Sequence, residues 1–455
     1  MATIVAIGVA LLAASPARAD PPTPTPSVSA FPSRALGETV RSALVTAGFD
    51  RLVDFGPESG GCPGGPGCPD LAPPAALPSV DAAVIELDAA GAPIRAADVL
   101  LDRDHPSGLV LDVDAAGGPA PVRWFRWDGA RTDATDPAAS SVPWSAVRIA
   151  ADDVVPGREG APATFMSPYP GSAFRLLVAA YTLHLADGGV IDLDAPYHYL
   201  QAPGSTCLGE RFELTESTRS LLERSLTGAD APATCVLIHQ LHALDQIGAM
   251  NAWYAGLGLP TLQVNGTDAG SGGRWLPGEI TMTALDTARL LVAVNAADPR
   301  VLTAASAELL TGWLGDQGFA EMLSTANWCG RTYPAAGIPQ AVPPRWVDPA
   351  QGTVSVGRIP YGQDVRPCAG AAQVRFAHLT GLSRTAAADA GIVHSLPGLP
   401  GVRERHYVVA VISDAGSRYA DSGWASSATL PCSTDVCYTE AFARLGAAID
   451  DAMGR

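Results

Sequence analysis

The sequence predicts an α/β (α+β) protein in which both ends of the chain form one five-stranded antiparallel sheet around an inserted helical lobe. Two β-rich runs separated by an Ala-Ala-Gly turn lie between residues 80 and 100. Residues 172–314 have a helical pattern, and from residue 373 three runs with strand character precede a final amphipathic helix. A sheet of early and late strands, with helices on both faces, satisfies this order.

The helices follow from the spacing of apolar residues. Ser33 is expected to cap a first helix with one apolar face, which comprises Leu36, Val40, Leu44 and Val45. The helix after Ser172 is apolar on nearly every side, so we expect it to be buried, and Gly188-Gly189 ends it. The final helix carries one apolar stripe, formed by Phe442, Leu445, Ile449 and Met453.

One long stretch lacks a regular pattern. Residues 103–160 are rich in Asp, Pro and Gly, and we expect them to be irregular. Three tryptophans provide anchors for this stretch: Trp124, Trp127 and Trp144.

Composition excludes several classes of function. The 455 residues are 47% apolar and 16% charged, so the chain can bury a substantial core. The net charge of −17, without any basic cluster, argues against nucleic acid and against an anionic membrane surface. All 29 basic residues other than histidine are arginine, so no chemistry of this chain can use a lysine amine.

The N-terminal segment predicts export. An apolar run from Ile4 to Ala14 precedes Ala17-Arg18-Ala19, a pattern typical of a signal peptide at residues 1–19. A Pro-rich linker is expected at 20–32 and the main domain at 161–455. Between them, residues 33–160 comprise a helix, a hairpin and an irregular stretch, which are either an insertion or a small separate domain. No later apolar run has membrane-spanning length, so we expect a secreted, extracellular or cell-envelope protein.

Eight cysteines agree with an oxidising compartment. They allow 105 pairings, among which the sequence cannot choose, and we predict sequential pairs: Cys62 with Cys68, Cys207 with Cys235, Cys329 with Cys368, and Cys432 with Cys437. A zinc site is the competing interpretation, but no C-x-x-C or cysteine–histidine cluster supports it. No metal or other cofactor is implied.

Three motifs resemble those of class A β-lactamases and the related penicillin-binding proteins. They are "SPYPGSAF" before the buried helix, "TMTALDTARLL" on a later helix, and "HLTG" on the first of the three closing strands. The resemblance covers roughly residues 160–455 and implies a β-lactamase/transpeptidase-like fold. The family uses S-x-x-K, S-D-N and K-T-G motifs, with the serine as nucleophile.

The resemblance assigns roles residue by residue. The positions that match catalytic residues are Ser172, Arg175, Asp230, Thr380 and Gly381. The positions that match oxyanion or binding residues are Leu382, Leu379, Ala229, Ala231 and Leu276. By analogy, the N–H groups of Ser172 and Leu382 would form an oxyanion hole.

The chain departs from the family at each motif. Arg175 replaces the lysine base and cannot release its proton at a useful pH. Ala229 and Ala231 replace the hydrogen-bonding ends of S-D-N, and Leu379 replaces the lysine of K-T-G. In "RWLPGE", Leu276 occupies the position of the deacylation glutamate, and Glu279 follows three residues later.

Other polar residues are given structural roles. His239 and His242 are three apart on a helix, but no third metal ligand is placed with them. His378 precedes Leu379 on a strand, so alternation turns it away from the side of Leu379. Tyr169 could reach the cleft or pack in its Pro-rich turn, and Asp230 is expected to form a buried ion pair with Arg175.

Two functions remain open. The chain is either a degenerate pseudoenzyme that binds a small molecule, a peptidoglycan fragment or a protein partner in the old cleft, or a slow esterase, amidase or β-lactamase acylated on Ser172. The sequence favours the first, because three independent changes each remove a polar function.

Overall fold

The protein has a mixed α/β fold, seen here in a computed structural model. The described residues are 31–53, 77–113, 122–127, 152–317, 322, 347–348, 353–356, 359–361, 374–398, 404–419 and 438–454. The predicted signal peptide, Trp144 and six of the eight cysteines lie outside these residues. In the described part of the chain, no helix is both long and apolar enough to cross a membrane.

The central sheet contains six antiparallel strands, not the five expected. Its strands are β1 Val80–Leu87, β2 Pro93–Leu101, β3 Leu109–Val110, β13 Val374–Ser383, β14 Ala386–Ser395 and β15 His406–Ser413. The order across the sheet is β13-β14-β15-β1-β2-β3, so the early and late strands meet where β1 pairs with β15. The prediction that both chain ends build one sheet is confirmed.

The sixth strand arises inside the stretch that was expected to be irregular. Asp102 accepts hydrogen bonds from the N–H groups of Asp104 (2.9 Å) and His105 (2.7 Å), which turns the chain back along β2. Only Leu109 and Val110 then pair with the sheet edge. A two-residue strand is too short to produce a recognisable alternation of apolar and polar residues, so the pattern did not reveal it.

Helices cover both faces of the sheet. One face packs against α1 (Phe31–Ala47) and α8 (Tyr438–Met453), and its core includes Leu36, Val99 and Phe442. The other face packs against the helical lobe, where Ile85, Leu379 and Leu176 belong to one larger core.

Helix α1 differs in detail from its prediction. It begins at Phe31, so Ser33 lies inside the helix instead of capping it, and the Ser33 hydroxyl accepts a hydrogen bond from the N–H of Ala96. Pro32 suits the first helical turn, where its missing N–H costs no hydrogen bond. Val45 is 38% exposed and does not belong to the buried stripe.

The helical lobe provides most of the other elements. Its helices are α2 Arg175–Asp187, α3 Thr218–Thr227, α4 Ala231–Ala243, α5 Ile247–Gly256, α6 Ala284–Asn295 and α7 Ala304–Gly315. Helix α2 is buried on nearly every side and ends at Gly188-Gly189, as predicted. The smaller strands are β4 Val122–Arg126, β5 Ala163–Ser167, β6 Pro196–Leu200, β7 Glu213–Ser217, β8 Gln263–Val264, β9 Ile280–Thr281, β10 Val347–Asp348, β11 Thr353–Val356 and β12 Ile359–Tyr361.

Two carboxyl groups are fully buried between the sheet and α6. Asp81 of β1 accepts a hydrogen bond from the N–H of Ala284 (2.7 Å) at the first turn of α6, and its side chain contacts that of Asp98 on β2. Burial raises the pKa of Asp81 to about 7 and that of Asp98 well above its usual range. Asp98 therefore keeps its proton beside Asp81. A cavity of about 30 Å³, lined in part by Asp286 and Arg158, adjoins Asp98.

One disulfide lies in the helical lobe. Cys207, in the loop between β6 and β7, bonds to Cys235 of α4. This pair confirms one of the four predicted disulfides, whereas the other six cysteines lie outside the described residues.

Candidate functional site

The turn that carries Ser172 is packed against strand β13. After β5, the chain forms a short 3-10 turn, Gly171–Phe174, which continues directly into α2. A Cβ atom added to Gly171 would lie 2.8 Å from the backbone nitrogen of Leu382, and one added to Gly381 would lie 2.0 Å from the carbonyl oxygen of Pro170. The predicted adjacency of Ser172 and the Leu379–Leu382 segment is therefore confirmed.

Gly171 is also required by its backbone conformation. Its φ of +54° lies in the left-handed region, which glycine adopts without the strain that a side chain adds. This conformation directs the half-buried Ser172 to the N-terminal end of the helical segment, where backbone N–H groups and the helix dipole favour negative charge.

Strand β13 separates its side chains as alternation predicts. Leu379 is 1% exposed and belongs to the core shared with the helical lobe, whereas His378 points to the opposite face. There the Nδ1 atom of His378 lies 2.7 Å from a carboxylate oxygen of Asp389, and both side chains are buried. His378 is thus directed away from Ser172. Thr380 and Gly381 follow on the same strand, and Thr380 is buried.

Arg175 lies one helical turn after Ser172 and is only 3% exposed. Its guanidinium stacks over the indole ring of Trp275, with 5.9 Å between the guanidinium carbon and the ring centroid. In the described part of the chain, no group accepts a hydrogen bond from its Nε or Nη1 atom. Burial lowers the pKa of Arg175 to about 10, and the nearby Asp230 and Tyr169 partly oppose that effect.

The expected ion pair between Arg175 and Asp230 is wrong. Asp230 accepts hydrogen bonds from Arg224 instead, at 2.6 Å from Nη2 and 3.0 Å from Nε. Its other oxygen accepts the N–H of Ala233 at 3.0 Å and caps α4. Arg224 also pairs with Glu216. Both carboxylate oxygens of Asp230 are therefore already engaged, although its charge still acts on Arg175.

The sequence contained a signal for this arrangement. Aspartate is among the preferred residues at helix N-caps, and proline two residues later fits the first helical turn. The segment Ala229-Asp230-Ala231-Pro232 has that pattern, and it indicates a capping role for Asp230. Ala229 itself has a φ of +49°, a left-handed conformation that is uncommon outside glycine.

The "RWLPGE" segment contributes Trp275 rather than an acid. The Trp275 ring packs edge-on against Phe174 at 5.1 Å, and its Nε1 donates to the carbonyl oxygen of Gly272 at 2.8 Å. Leu276 is 41% exposed, and the exposed Glu279 lies 4.0 Å from Arg274. Sequence reasoning used this tryptophan only to align the segment and missed its contact with Arg175.

Tyr169 packs beside the same cluster. Its hydroxyl donates to the carbonyl oxygen of Trp275 at 3.4 Å. Burial raises its pKa above the usual range, so the phenol stays protonated, while the positive charge of Arg175 acts in the opposite direction. Tyr169 therefore does not act as a base near neutral pH.

The two lobe histidines have hydrogen-bond partners. His239 Nδ1 lies 2.8 Å from the hydroxyl of Tyr197, and His242 Nε2 lies 2.8 Å from the hydroxyl of Thr267. Among the residues that the structure describes, no three side chains of the His, Cys, Asp or Glu type are grouped to hold a metal ion.

Comparison with known proteins identifies the family. The model of the β-lactamase enzyme family matches residues 166–429, more than half of the chain. The chain belongs to this family. Its mixed α/β architecture, with the six-stranded sheet, is of the β-lactamase/transpeptidase-like type. No curated protein matches the chain.

Several solved β-lactamase structures are similar to this family member. A representative of class A β-lactamase from Bacteroides cellulosilyticus DSM 14838 is 11% identical, with 92% of this chain and 98% of that chain covered and a TM-score of 0.45. A β-lactamase from Sphaerobacter thermophilus DSM 20745 is 15% identical, with 92% and 97% covered and a TM-score of 0.43. One from Chitinophaga pinensis DSM 2588 is 17% identical, with 62% and 85% covered and a TM-score of 0.39.

Proposed function

We propose that this β-lactamase-family protein is a catalytically impaired homologue that binds a ligand in the cleft beside Ser172 without efficient turnover. The observation that carries the proposal is Arg175, a buried guanidinium at the position of the family's lysine base. Its pKa of about 10 keeps it protonated near neutral pH, so it cannot accept the proton of Ser172.

The surroundings of Ser172 support the same conclusion. In the described part of the chain, no side chain forms a hydrogen bond with the Ser172 hydroxyl that would allow it to act as a base. His378 faces the other side of the sheet, and Tyr169 stays protonated. A serine without a base is a weak nucleophile.

The binding groups of the family have changed as well. Leu379 is packed into the apolar core at the position where the family has a lysine for the substrate carboxylate. Ala229 has no hydroxyl with which to relay a proton to a leaving group. The substrate and reaction of the β-lactamases are therefore not carried over to this chain.

A slow serine hydrolase acylated on Ser172 is the second candidate. The close packing of Gly171 on Leu382 favours it, because the backbone nitrogen of Leu382 lies next to the residue that precedes Ser172. An oxyanion hole and substrate binding without a triad leave a residual acceleration of about 10³–10⁴ over water.

Export is part of the proposal. The signal-like segment at residues 1–19 and the disulfide between Cys207 and Cys235 both fit an oxidising compartment outside the cytoplasm. A small molecule or peptidoglycan-like fragment is the kind of ligand that such a protein meets, and the acidic charge disfavours nucleic acid.

The proposal is tested by comparing the wild type with Ser172→Ala. Hydrolysis of nitrocefin and of a p-nitrophenyl ester should be equal in the two proteins, and intact mass should show no stable adduct after incubation with a fluorophosphonate. Turnover by the wild type well above that of Ser172→Ala would establish the slow hydrolase instead.

A further inference from the structure

The guanidinium of Arg175 lacks the protein partner that a buried charge needs. Its Nε and Nη1 atoms donate a hydrogen bond to no group among the described residues. A buried charge is stabilised by an opposite charge together with hydrogen bonds, and without them its burial is costly. The cation–π contact with Trp275 compensates only in part, because an aromatic ring attracts the charge but provides no oxygen to accept the hydrogen bonds of the guanidinium N–H groups.

The nearby acid does not supply that partner. Asp230 acts on Arg175 only through its charge, since Arg224 and the N–H of Ala233 occupy its two oxygens. The neighbouring acid Glu216 is also paired with Arg224. Tyr169, the other group that acts on Arg175, stays protonated and donates its hydrogen bond to Trp275.

The position of Arg175 places its charge beside Ser172. The two residues are three apart, and in a 3-10 turn residues with this spacing lie one above the other. A ligand that reaches the half-buried Ser172 therefore approaches the guanidinium. At the same time, strand β13 presents the apolar Leu379 where the family has an ammonium group, so the cation of this cleft lies on α2 instead.

We infer that Arg175 is an anion-binding residue and that the cleft takes a small organic anion whose carboxylate or phosphate group pairs with the guanidinium. The planar set of N–H donors in arginine matches the oxygens of both groups and can bind them through two parallel hydrogen bonds. The inference rests on the proposed function, since it names the class of ligand for the same cleft.

The experiment measures anion binding in a background without turnover. Ser172→Ala protein is titrated by calorimetry, at constant ionic strength, with inorganic phosphate, with N-acetyl-D-alanine and with the uncharged N-acetyl-D-alaninamide. The same titrations are made on the double variant Ser172→Ala and Arg175→Met, in which methionine keeps an unbranched side chain over Trp275. Arg274→Met is the matched control, since Arg274 is exposed and precedes Trp275.

We expect at least one of the two anions to bind, the amide not to bind, and Arg175→Met to weaken anion binding at least tenfold while Arg274→Met leaves it unchanged. Binding of N-acetyl-D-alanine but not phosphate identifies a carboxylate ligand, and the reverse identifies a phosphate ligand. If Arg175→Met does not fold, Arg175→Lys replaces it, with an expected loss of at least threefold, because the charge remains but the planar set of donors is lost.

The inference is overturned if neither anion binds at concentrations up to about 10 mM, if the amide binds as well as the acid, or if binding is independent of Arg175. Each outcome is separate from the test of the proposed function. Turnover that depends on Ser172 would overturn the proposal of a pseudoenzyme, but it would not contradict the anion site.

Discussion

At the scale of single residues, Arg175 decides what chemistry Ser172 can perform. An arginine in place of a lysine conserves charge but removes the acid–base function, because its pKa stays far above the working pH. The location of Ser172 beside β13 could be predicted, since the motifs at both places survive in the sequence. The partner of Asp230 could not be predicted, because the choice between Arg224 and Arg175 depends on side-chain geometry that spacing does not fix.

Restoring the lysine alone should not restore activity. Arg175→Lys supplies a possible base, but Ala229 still relays no proton and Leu379 still provides no positive charge. We expect nitrocefin hydrolysis by this variant to stay within about tenfold of Ser172→Ala, close to the residual level that an oxyanion hole and binding provide.

The triple change Arg175→Lys, Ala229→Ser and Leu379→Lys is expected to give measurable, Ser172-dependent hydrolysis. Because Leu379 is buried, this variant is first checked for a cooperative thermal transition. Full activity from Arg175→Lys alone would show that the other two positions are dispensable.

Gly381 should tolerate no side chain. A Cβ atom there would lie 2.0 Å from the carbonyl oxygen of Pro170 and 2.6 Å from the nitrogen of Ala173, so Gly381→Ala forces the Ser172 turn away from β13. We expect a loss of about 1–3 kcal/mol in the free energy of unfolding, typical of overpacking.

Gly312→Ala is the matched control for that substitution. Gly312 is exposed on α7, and an added Cβ meets no atom within 4 Å. Alanine in a helix interior stabilises by about 0.5–1 kcal/mol relative to glycine. Urea unfolding of both variants checks the contrast, and equal effects would contradict the close packing at Gly381.

At the scale of elements, the contact between β1, β2 and α6 makes stability depend on pH. Asp81 ionises near pH 4 in the unfolded chain but has a pKa of about 7 in the folded protein, chiefly because it is buried. Between about pH 4 and pH 7 the folded protein therefore keeps a proton on Asp81 that the unfolded chain has lost. The free energy of unfolding should therefore fall as the pH rises from about 4 to about 7, by up to roughly 1.4 kcal/mol per pH unit for Asp81 alone. Asp98, whose pKa burial also raises, adds to this slope.

Asp98→Asn should weaken this dependence. The amide donates a hydrogen bond to Asp81 without carrying a proton that can be lost, so Asp81 can ionise at lower cost. Thermal and urea unfolding at pH 4.5, 6 and 8 test this, with the exposed Asp245→Asn as control. A slope in Asp98→Asn equal to that of the wild type would assign the pH dependence to other groups, with Asp286 the first to consider.

The disulfide between the β6–β7 loop and α4 should contribute to stability independently of the site. Cys207 and Cys235 are 28 residues apart, and closing a loop of that length is worth roughly 3–4 kcal/mol in the chain-entropy estimate. The double variant Cys207→Ala and Cys235→Ala should lose about this much in urea unfolding. Anion binding at Arg175 should be unchanged in folded protein.

Secondary structure was predictable where periodicity extends over many residues. The apolar pattern of α2 and the alternation in β13, β14 and β15 identified these elements correctly. The patterns did not identify β3, and they placed the start of α1 three residues too late, after a cap at Ser33 instead of at Phe31. Short pairings and helix ends depend on contacts that periodicity does not reveal, such as the pairing of Leu109 with Leu100 and the hydrogen bond between Ala96 and Ser33 near the start of α1.

At the scale of the whole molecule, the order of elements along the chain was sufficient to predict a sheet made from both chain ends. It was not sufficient to predict which early strand meets which late strand. The register in which Val80 opposes Ser413 results from the fit of two apolar faces, one against α1 and α8 and the other against the helical lobe. That fit is a property of the assembled core and has no local signature.

The pairing of β1 with β15 also determines when the protein can fold. About 330 residues separate Val80 from Ser413, and at roughly 5–20 residues per second a ribosome takes tens of seconds to deliver the second strand after the first. Until then the hairpin of β1 and β2 has an unpaired apolar edge, which is prone to wrong pairing. A nascent chain in that state exposes surface to which chaperones bind. The latest strands to be synthesised thus complete the sheet and, through β13, bring Gly381 and Leu382 to Ser172.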